Sequence, residues 1–300
     1  MKSNFNLKKL TQSNNGLLLV LMSLAMFSWG IAWTNAKIVN QYLNYYNLTF
    51  LRFFVGFVTL IPFLIIKQPK VNLDIKILFN IIIVSILFFF YNICFFMGTD
   101  YGDAGKGGVF VTTTNPLITF VLVSLISKKI TMNQIFNISL GVIGGLLIMD
   151  VFQMGFDPIL SSENRYFILC SVIWGVMTVI MKYGQDKFDS ILYITLCYLF
   201  TSIISLMYID LSEFNSTIFS NSIFLINFFF VSAGAMSFGT SIYIYSIPII
   251  GPVKASVFIF MVPFIAISFA SIFLGEIITY NIILGGILSL LSIYLVNKNN

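Results

Sequence analysis

Twenty-one consecutive residues without a charge, Ile77 to Met97 (ILFNIIIVSILFFFYNICFFM), constrain this chain more than any other feature. Wound as an α-helix at ~1.5 Å per residue, that run is roughly 30 Å long, the thickness of a bilayer's hydrocarbon core. A helix buried in a soluble domain seldom needs such length. The rest of the chain agrees: 58% of its residues are apolar and 9% are charged, where a soluble domain is about a quarter charged. Too few polar residues exist to cover a water-exposed surface, so the expectation is an integral membrane protein.

The hydropathy pattern predicts ten helical spans near 17–35, 47–66, 77–97, 106–127, 134–150, 165–182, 190–209, 223–245, 252–273 and 281–296. Their connections are short. The longest, from Asp150 to Asn164, carries polar residues and Pro158. No span shows the period-two alternation of a barrel strand, and open sheets leave backbone groups unsatisfied in lipid. The fold class expected is therefore all-α. The first span begins near Gly16 after Lys2, Lys8 and Lys9, which resembles the start of a signal peptide. It extends to about Thr34 and other spans follow, so the reading is an uncleaved first helix.

Charge placement orients the chain. With the N-terminus inside, twelve of the sixteen basic residues fall in inside segments: Lys2, Lys8, Lys9, Lys67, Lys70, Lys76, Lys128, Lys129, Lys182, Lys187, Lys254 and Lys298. The acids Asp100, Asp103, Asp150, Asp157, Glu163, Asp210, Glu213 and Glu276 fall outside. Both termini are expected to be cytoplasmic, in a multi-pass cell-membrane protein.

The net charge of +5 is scattered between apolar runs and forms no basic stripe, so nucleic acid is not an expected partner. Cys94, Cys170 and Cys197 lie inside spans and form neither a disulfide framework nor a metal-ligand spacing. The chain has no histidine, the commonest metal ligand and near-neutral proton carrier. HExxH, GxSxG and P-loop signatures are absent from the sequence, as are clustered carboxylates at depth. No enzyme activity, no cofactor and no obligatory protein partner are expected. The partners left are the lipid bilayer and a small-molecule substrate.

The chain repeats itself. Trp29-Gly30 with Lys37 recurs as Trp174-Gly175 with Lys182, 145 positions later. Pro116 and Pro263 stand in the fourth span of each half, 147 apart, and Thr131 and Thr279 follow at 148. The halves are taken as 1–150 and 151–300. Five spans per half is an odd number, so the second half crosses the membrane upside down. Lys128-Lys129 then lies inside and the matching Gly275-Glu276 outside, each as the charge rule requires. An inverted repeat of this kind gives two near-equivalent packings, the physical basis of alternating access.

On the Trp-Gly pair of each half and the closing run Pro263, Leu274-Gly275-Glu276, Thr279 and Gly285, the chain resembles the drug/metabolite transporter superfamily, in its EamA-type ten-helix branch. The resemblance covers essentially the whole chain. The first half departs from it at Ser127-Lys128-Lys129, which stand where a Gly-Glu corner is usual. What the resemblance implies is a carrier of the bacterial inner membrane, an exporter of amino acids or related metabolites.

Polar residues at membrane depth face a cavity or a partner helix. Arg52, in the outer third of the second span, is read either as an anchor for a substrate carboxylate or as a snorkelling or structural side chain paired with Asp100 or Asp103. Lys106 and Lys254, at the starts of equivalent helices, are read as gates or as interfacial anchors. Thr112, Thr113 and Asn115 precede Pro116, which frees a carbonyl one turn earlier. They contact a polar solute or bond back to their own helix. Pro116 and Pro263 are candidate hinges. Trp29, Trp174, Tyr91, Asn92, Tyr198, Ser237, Thr240 and Tyr243 are candidate cavity-lining residues, apolar walls with polar tips. Glu276 is read as a cap or pin for the turn at the outer face. Because no acid lies at the centre of a span, a carboxylate proton relay is not expected. Alternating-access transport of a small metabolite, outward, is the leading reading. A membrane-embedded sensor or channel is its rival.

Overall fold

The computed structural model describes residues 15–69, 74–127, 132–185, 188–250 and 258–298. Among them the regular structure is helical and no strand occurs. We number the principal helices α1 (Asn15–Val39), α2 (Tyr45–Lys67), α3 (Ile75–Tyr101), α4 (Ala104–Ser127), α5 (Met132–Ile148), α6 (Ser162–Gln185), α7 (Ser190–Leu206), α8 (three consecutive pieces, Ser222–Phe229, Phe230–Thr240 and Ser241–Ile250), α9 (Met261–Leu274) and α10 (Tyr280–Lys298). Six stretches are long and apolar enough to cross a membrane: Gly16–Val39, Tyr45–Lys67, Ile75–Tyr101, Ala104–Ile126, Asn164–Met181 and Ser222–Tyr243. Shorter apolar helices in α5, α7, α9 and α10 complete the ten expected spans.

Helix ends are set by local chemistry. The Asn44 side chain accepts from the amides of Tyr46 and Asn47, both at 2.9 Å, and so starts α2. Asp189 does the same for α7 through Ile191 and Leu192. Gly275 takes φ +69° at the end of α9, a left-handed turn that glycine enters without a Cβ penalty. Within the spans, buried hydroxyls return to the carbonyl one turn back, as Ser85 does to Ile81 (2.8 Å) and Thr201 to Cys197 (2.7 Å). This satisfies a polar group where no water is at hand.

The packing repeats with the halves exchanged. α1 packs on α8 and α9, as α6 packs on α3 and α4; α2 meets α7, α4 meets α9, and α5 meets α10. Equivalent residues make the closest approaches. A Cβ on Gly30 would stand 2.5 Å from Ile265 Cβ and 3.3 Å from the Val262 carbonyl oxygen. A Cβ on Gly175 would stand 2.6 Å from Ile118 Cγ2 and 3.4 Å from the Asn115 carbonyl oxygen. Ile118 and Ile265 are 147 positions apart, as are Asn115 and Val262 and the two prolines. The glycine of each Trp-Gly pair therefore lets the first helix of one half lie against the fourth helix of the other.

One local expectation changes, and two features go beyond the hydropathy pattern. The Asp150–Asn164 connection holds two helical turns, Val151–Met154 and Asp157–Leu160, with Gly155 ending the first. Pro263 is not mid-helix. It falls in the first turn of α9, just after a turn at Phe260, where its missing N–H has no intrahelical acceptor to forfeit. Pro116 does lie inside α4, and α2 carries an interior proline too, Pro62. Finally, α8 is wound as a π-helix over Phe230–Thr240, whereas its counterpart α3 is a continuous α-helix of 27 residues. Lys128, Lys129, Thr131 and Lys254 lie outside the described residues.

Candidate functional site

The middle of the bundle is built from aromatic rings contributed by both halves. Trp29 of α1 and Trp174 of α6 meet edge to face with centroids 6.4 Å apart. Trp29 also packs on Tyr243 of α8 at 5.2 Å, and Trp174 packs on Tyr91 of α3 at 4.9 Å and on Phe88 at 6.4 Å. Phe88 and Phe53 close on Tyr198 of α7 at 5.7 and 5.5 Å. Trp29, Tyr91, Trp174 and Tyr243 all remain partly uncovered, while Tyr198 is fully buried.

Arg52 of α2 sits beside this wall and is 7% exposed. Its Nε donates to the Val231 carbonyl at 2.8 Å and its Nη1 to Asn92 Oδ1 at 2.5 Å. Its Cζ lies 4.7 Å from the centroid of Phe95, a cation–π arrangement. Neither Asp100 nor Asp103 pairs with it, so the structural ion pair is set aside. Among the described residues no carboxylate lies within ion-pair distance of Arg52, and its Nη2 has no hydrogen-bond partner. A guanidinium carries five N–H donors in a planar fork suited to a carboxylate.

The π-wound stretch of α8 supplies acceptors to this centre. Besides Val231 to Arg52, the Ala235 carbonyl accepts from Trp29 Nε1 (2.9 Å) and from the Thr240 hydroxyl (3.3 Å), and the Met236 carbonyl accepts from the Tyr198 hydroxyl (3.5 Å). A π-helix keeps its carbonyls in a ladder closed five residues on, and each carbonyl oxygen retains a second lone pair that a side-chain donor can use. Ser237 Oγ lies 2.6 Å from Thr59 Oγ1, joining α8 to α2.

Nine expected lining residues thus come together: Trp29, Arg52, Tyr91, Asn92, Trp174, Tyr198, Ser237, Thr240 and Tyr243. Others do not. The hydroxyls of Thr112 and Thr113 donate to the Gly108 (2.6 Å) and Val109 (2.8 Å) carbonyls of their own helix, the second of the two arrangements the sequence left open. Asn115 stands at the α4–α6 crossing, where its carbonyl accepts from Thr119 at 3.0 Å. Lys106 is buried near Asp150, Nζ to Oδ2 3.7 Å. Sequence reasoning missed Phe53, Phe88 and Phe95, because 33 phenylalanines offer no signal to single out three. It also missed the π-helix, whose composition is that of any small-residue stretch.

A second space, of about 310 Å³, lies between α4 and α5 and reaches Ile159 and Ile168. Its walls are almost wholly apolar, among them Phe110, Leu117, Val121 and Leu146. It holds none of the charged residues considered above.

The sequence profile of the EamA-like transporter family matches residues 16–150 and 163–298, one copy for each half. The chain belongs to the EamA-like transporter family. It is also 24% identical, over 164 residues, to a Bacillus subtilis (strain 168) protein described as "Uncharacterized transporter YoaV". That match spans 54% of this chain and 56% of the relative, so the chain spans little more than half the length of that protein. This member of the family is a multi-pass membrane protein of two five-helix repeats, the second inverted relative to the first.

Proposed function

We propose that this transporter moves a small carboxylate-bearing metabolite, an amino acid or a related solute, across the bacterial inner membrane by alternating access, outward. The observation that supports this reading is Arg52: a buried cation that, among the described residues, has no acid beside it and no partner for its Nη2, next to partly uncovered rings from both halves. A substrate carboxylate would supply the missing counter-charge, with hydrogen bonds stronger than those to neutral acceptors. Trp29, Tyr91, Trp174 and Tyr243 would flank the rest of the molecule. Asn92 holds the guanidinium by its other edge. In this reading residues 1–150 and 151–300 rock against each other, and the Trp29–Trp174 contact lies between the moving parts.

Lysine placement supports cytoplasmic termini and puts Glu276 at the outer end. No carboxylate among the described residues joins the ring cluster, so proton coupling forms no part of the proposal.

The test is uptake of labelled amino acids and organic acids into proteoliposomes, with and without an imposed pH gradient. Saturable uptake, competed by carboxylates and not by their amides, is the expected result. Absence of uptake across the panel by folded protein would favour a sensor or channel instead.

A further inference from the structure

Glu276 follows the left-handed Gly275 at the end of α9, yet its carboxylate does not serve its own turn. Oε1 accepts from the Ala104 amide and Oε2 from the Gly105 amide, both at 2.8 Å, across the boundary between the halves. These are the first two amides of the 24-residue helix α4. They have no partner within the helix and carry its positive dipole end. Lys37, from the end of α1, adds its Nζ at 3.1 Å from Oε1 and donates to the Gly102 carbonyl at 2.8 Å. Asp103 lies 3.7 Å from the same ammonium.

The backbones close in around this junction. A Cβ on Gly105 would stand 3.0 Å from Ala270 Cβ and 3.2 Å from Glu276 Oε2. The space remaining between Asp103, Gly105, Lys106, Ala270 and Glu276 is about 10 Å³, room for about one water molecule at most. A metabolite therefore has no way through between α4 and α9 at this end. One residue further along the same helix, Lys106 faces Asp150 at 3.7 Å, and Asp150 accepts from Asn281 of α10 at 2.7 Å. This second bridge also joins the two halves.

We propose that Glu276, Lys37 and the N-terminus of α4 form a latch that holds this end of the pathway shut, and that the latch opens once in each transport cycle. The proposal rests on the alternating-access reading but not on the identity of the substrate. Opening takes a carboxylate with 9% side-chain exposure away from two amides and an ammonium, so the latch biases the resting protein toward closure here. The latch is one-sided. In the sequence repeat Ser127-Lys128-Lys129 stand where the second half has Leu274-Gly275-Glu276, and an ammonium cannot accept from the amides of a helix start. The opposite end has no acid in that position to close it in the same way, so the resting carrier loads from the lysine-rich face.

Spin labels at Tyr101 and Ile277, which are 54% and 81% exposed on opposite sides of the latch, report its opening as a distance. The three native cysteines are buried and stay in place. In the full chain reconstituted in lipid, the unaltered latch should give one short-distance population. Glu276→Ala should move much of it to longer distances, and Glu276→Gln, which keeps one acceptor oxygen, should move less. Lys37→Gln provides a second disruption should Glu276→Ala fail to fold. The double exchange Lys37→Glu with Glu276→Lys retains an ion pair but sets an ammonium against α4's amides, so it should stay open. Unchanged distances in the single variants would overturn the latch. Closure in the double exchange would overturn the role of the α4 amides. Both readouts hold whether or not any tested metabolite is transported.

Discussion

Trp29 and Trp174, 145 positions apart in the chain, touch edge to face at 6.4 Å. Each opens its half's Trp-Gly pair, and the inverted arrangement brings the two copies together at the centre. They are not equivalent in bonding. Trp29 Nε1 donates to the Ala235 carbonyl, whereas the Trp174 indole N–H has no hydrogen-bond acceptor among the described residues and the ring is held by packing. Trp29→Phe should therefore lower thermal stability through one lost hydrogen bond, about 1 kcal/mol. Trp174→Phe should leave stability nearly unchanged. Both should raise the KM of uptake. Thermal unfolding in detergent and uptake kinetics separate the two effects.

Arg52→Ala should insert normally and lose transport. Losing a charge-assisted contact to substrate costs about 1.5–3 kcal/mol, roughly a 10- to 100-fold rise in Kd. Arg52→Lys should be almost as impaired, because an ammonium cannot reach Val231, Asn92 and a carboxylate together. Uptake by proteoliposomes loaded with equal amounts of folded protein checks this. Normal transport by Arg52→Ala would remove Arg52 from the site.

Gly30 and Gly175 should respond alike to enlargement. Valine at either position forces α1 from α9 or α6 from α4, at about 1–3 kcal/mol for overpacking. A lower unfolding temperature for both Gly30→Val and Gly175→Val is expected. A shift in one alone would contradict the equivalence of the two crossings.

Thr112→Val and Thr113→Val should transport within about twofold of the parent. Their hydroxyls serve their own helix, and losing such a bond costs at most about 1 kcal/mol. Ser237→Ala, by contrast, breaks the link to Thr59 between α2 and α8, and a clear loss in uptake rate is expected. Side-by-side initial rates decide between these outcomes.

The sequence by itself determined the solvent, the secondary structure and the symmetry. Long uncharged runs such as Ile77–Met97 have one stable solution in lipid, the helix, because each backbone group must find its partner within the segment. The repeated Trp-Gly pairs and prolines announced two related halves, and an odd number of spans per half announced their inversion. Most of the central polar residues were legible for the same energetic reason: Arg52 and Asn92 are costly at depth unless they have work or partners there.

What only tertiary structure decided is which partners these groups find. Arg52 had two candidate acids, Asp100 and Asp103, and bonds to neither, because its guanidinium meets Asn92 of α3 and the Val231 carbonyl of α8 instead. Thr112 and Thr113 could serve a solute or their own helix, and their hydroxyls donate to carbonyls of their own helix. Glu276 belongs to one half and caps a helix of the other, a contact between residues 172 and 171 positions apart. The winding of α8 left no mark in composition. A sequence specifies how much a buried group needs a partner, but the packing of distant helices specifies where that partner stands.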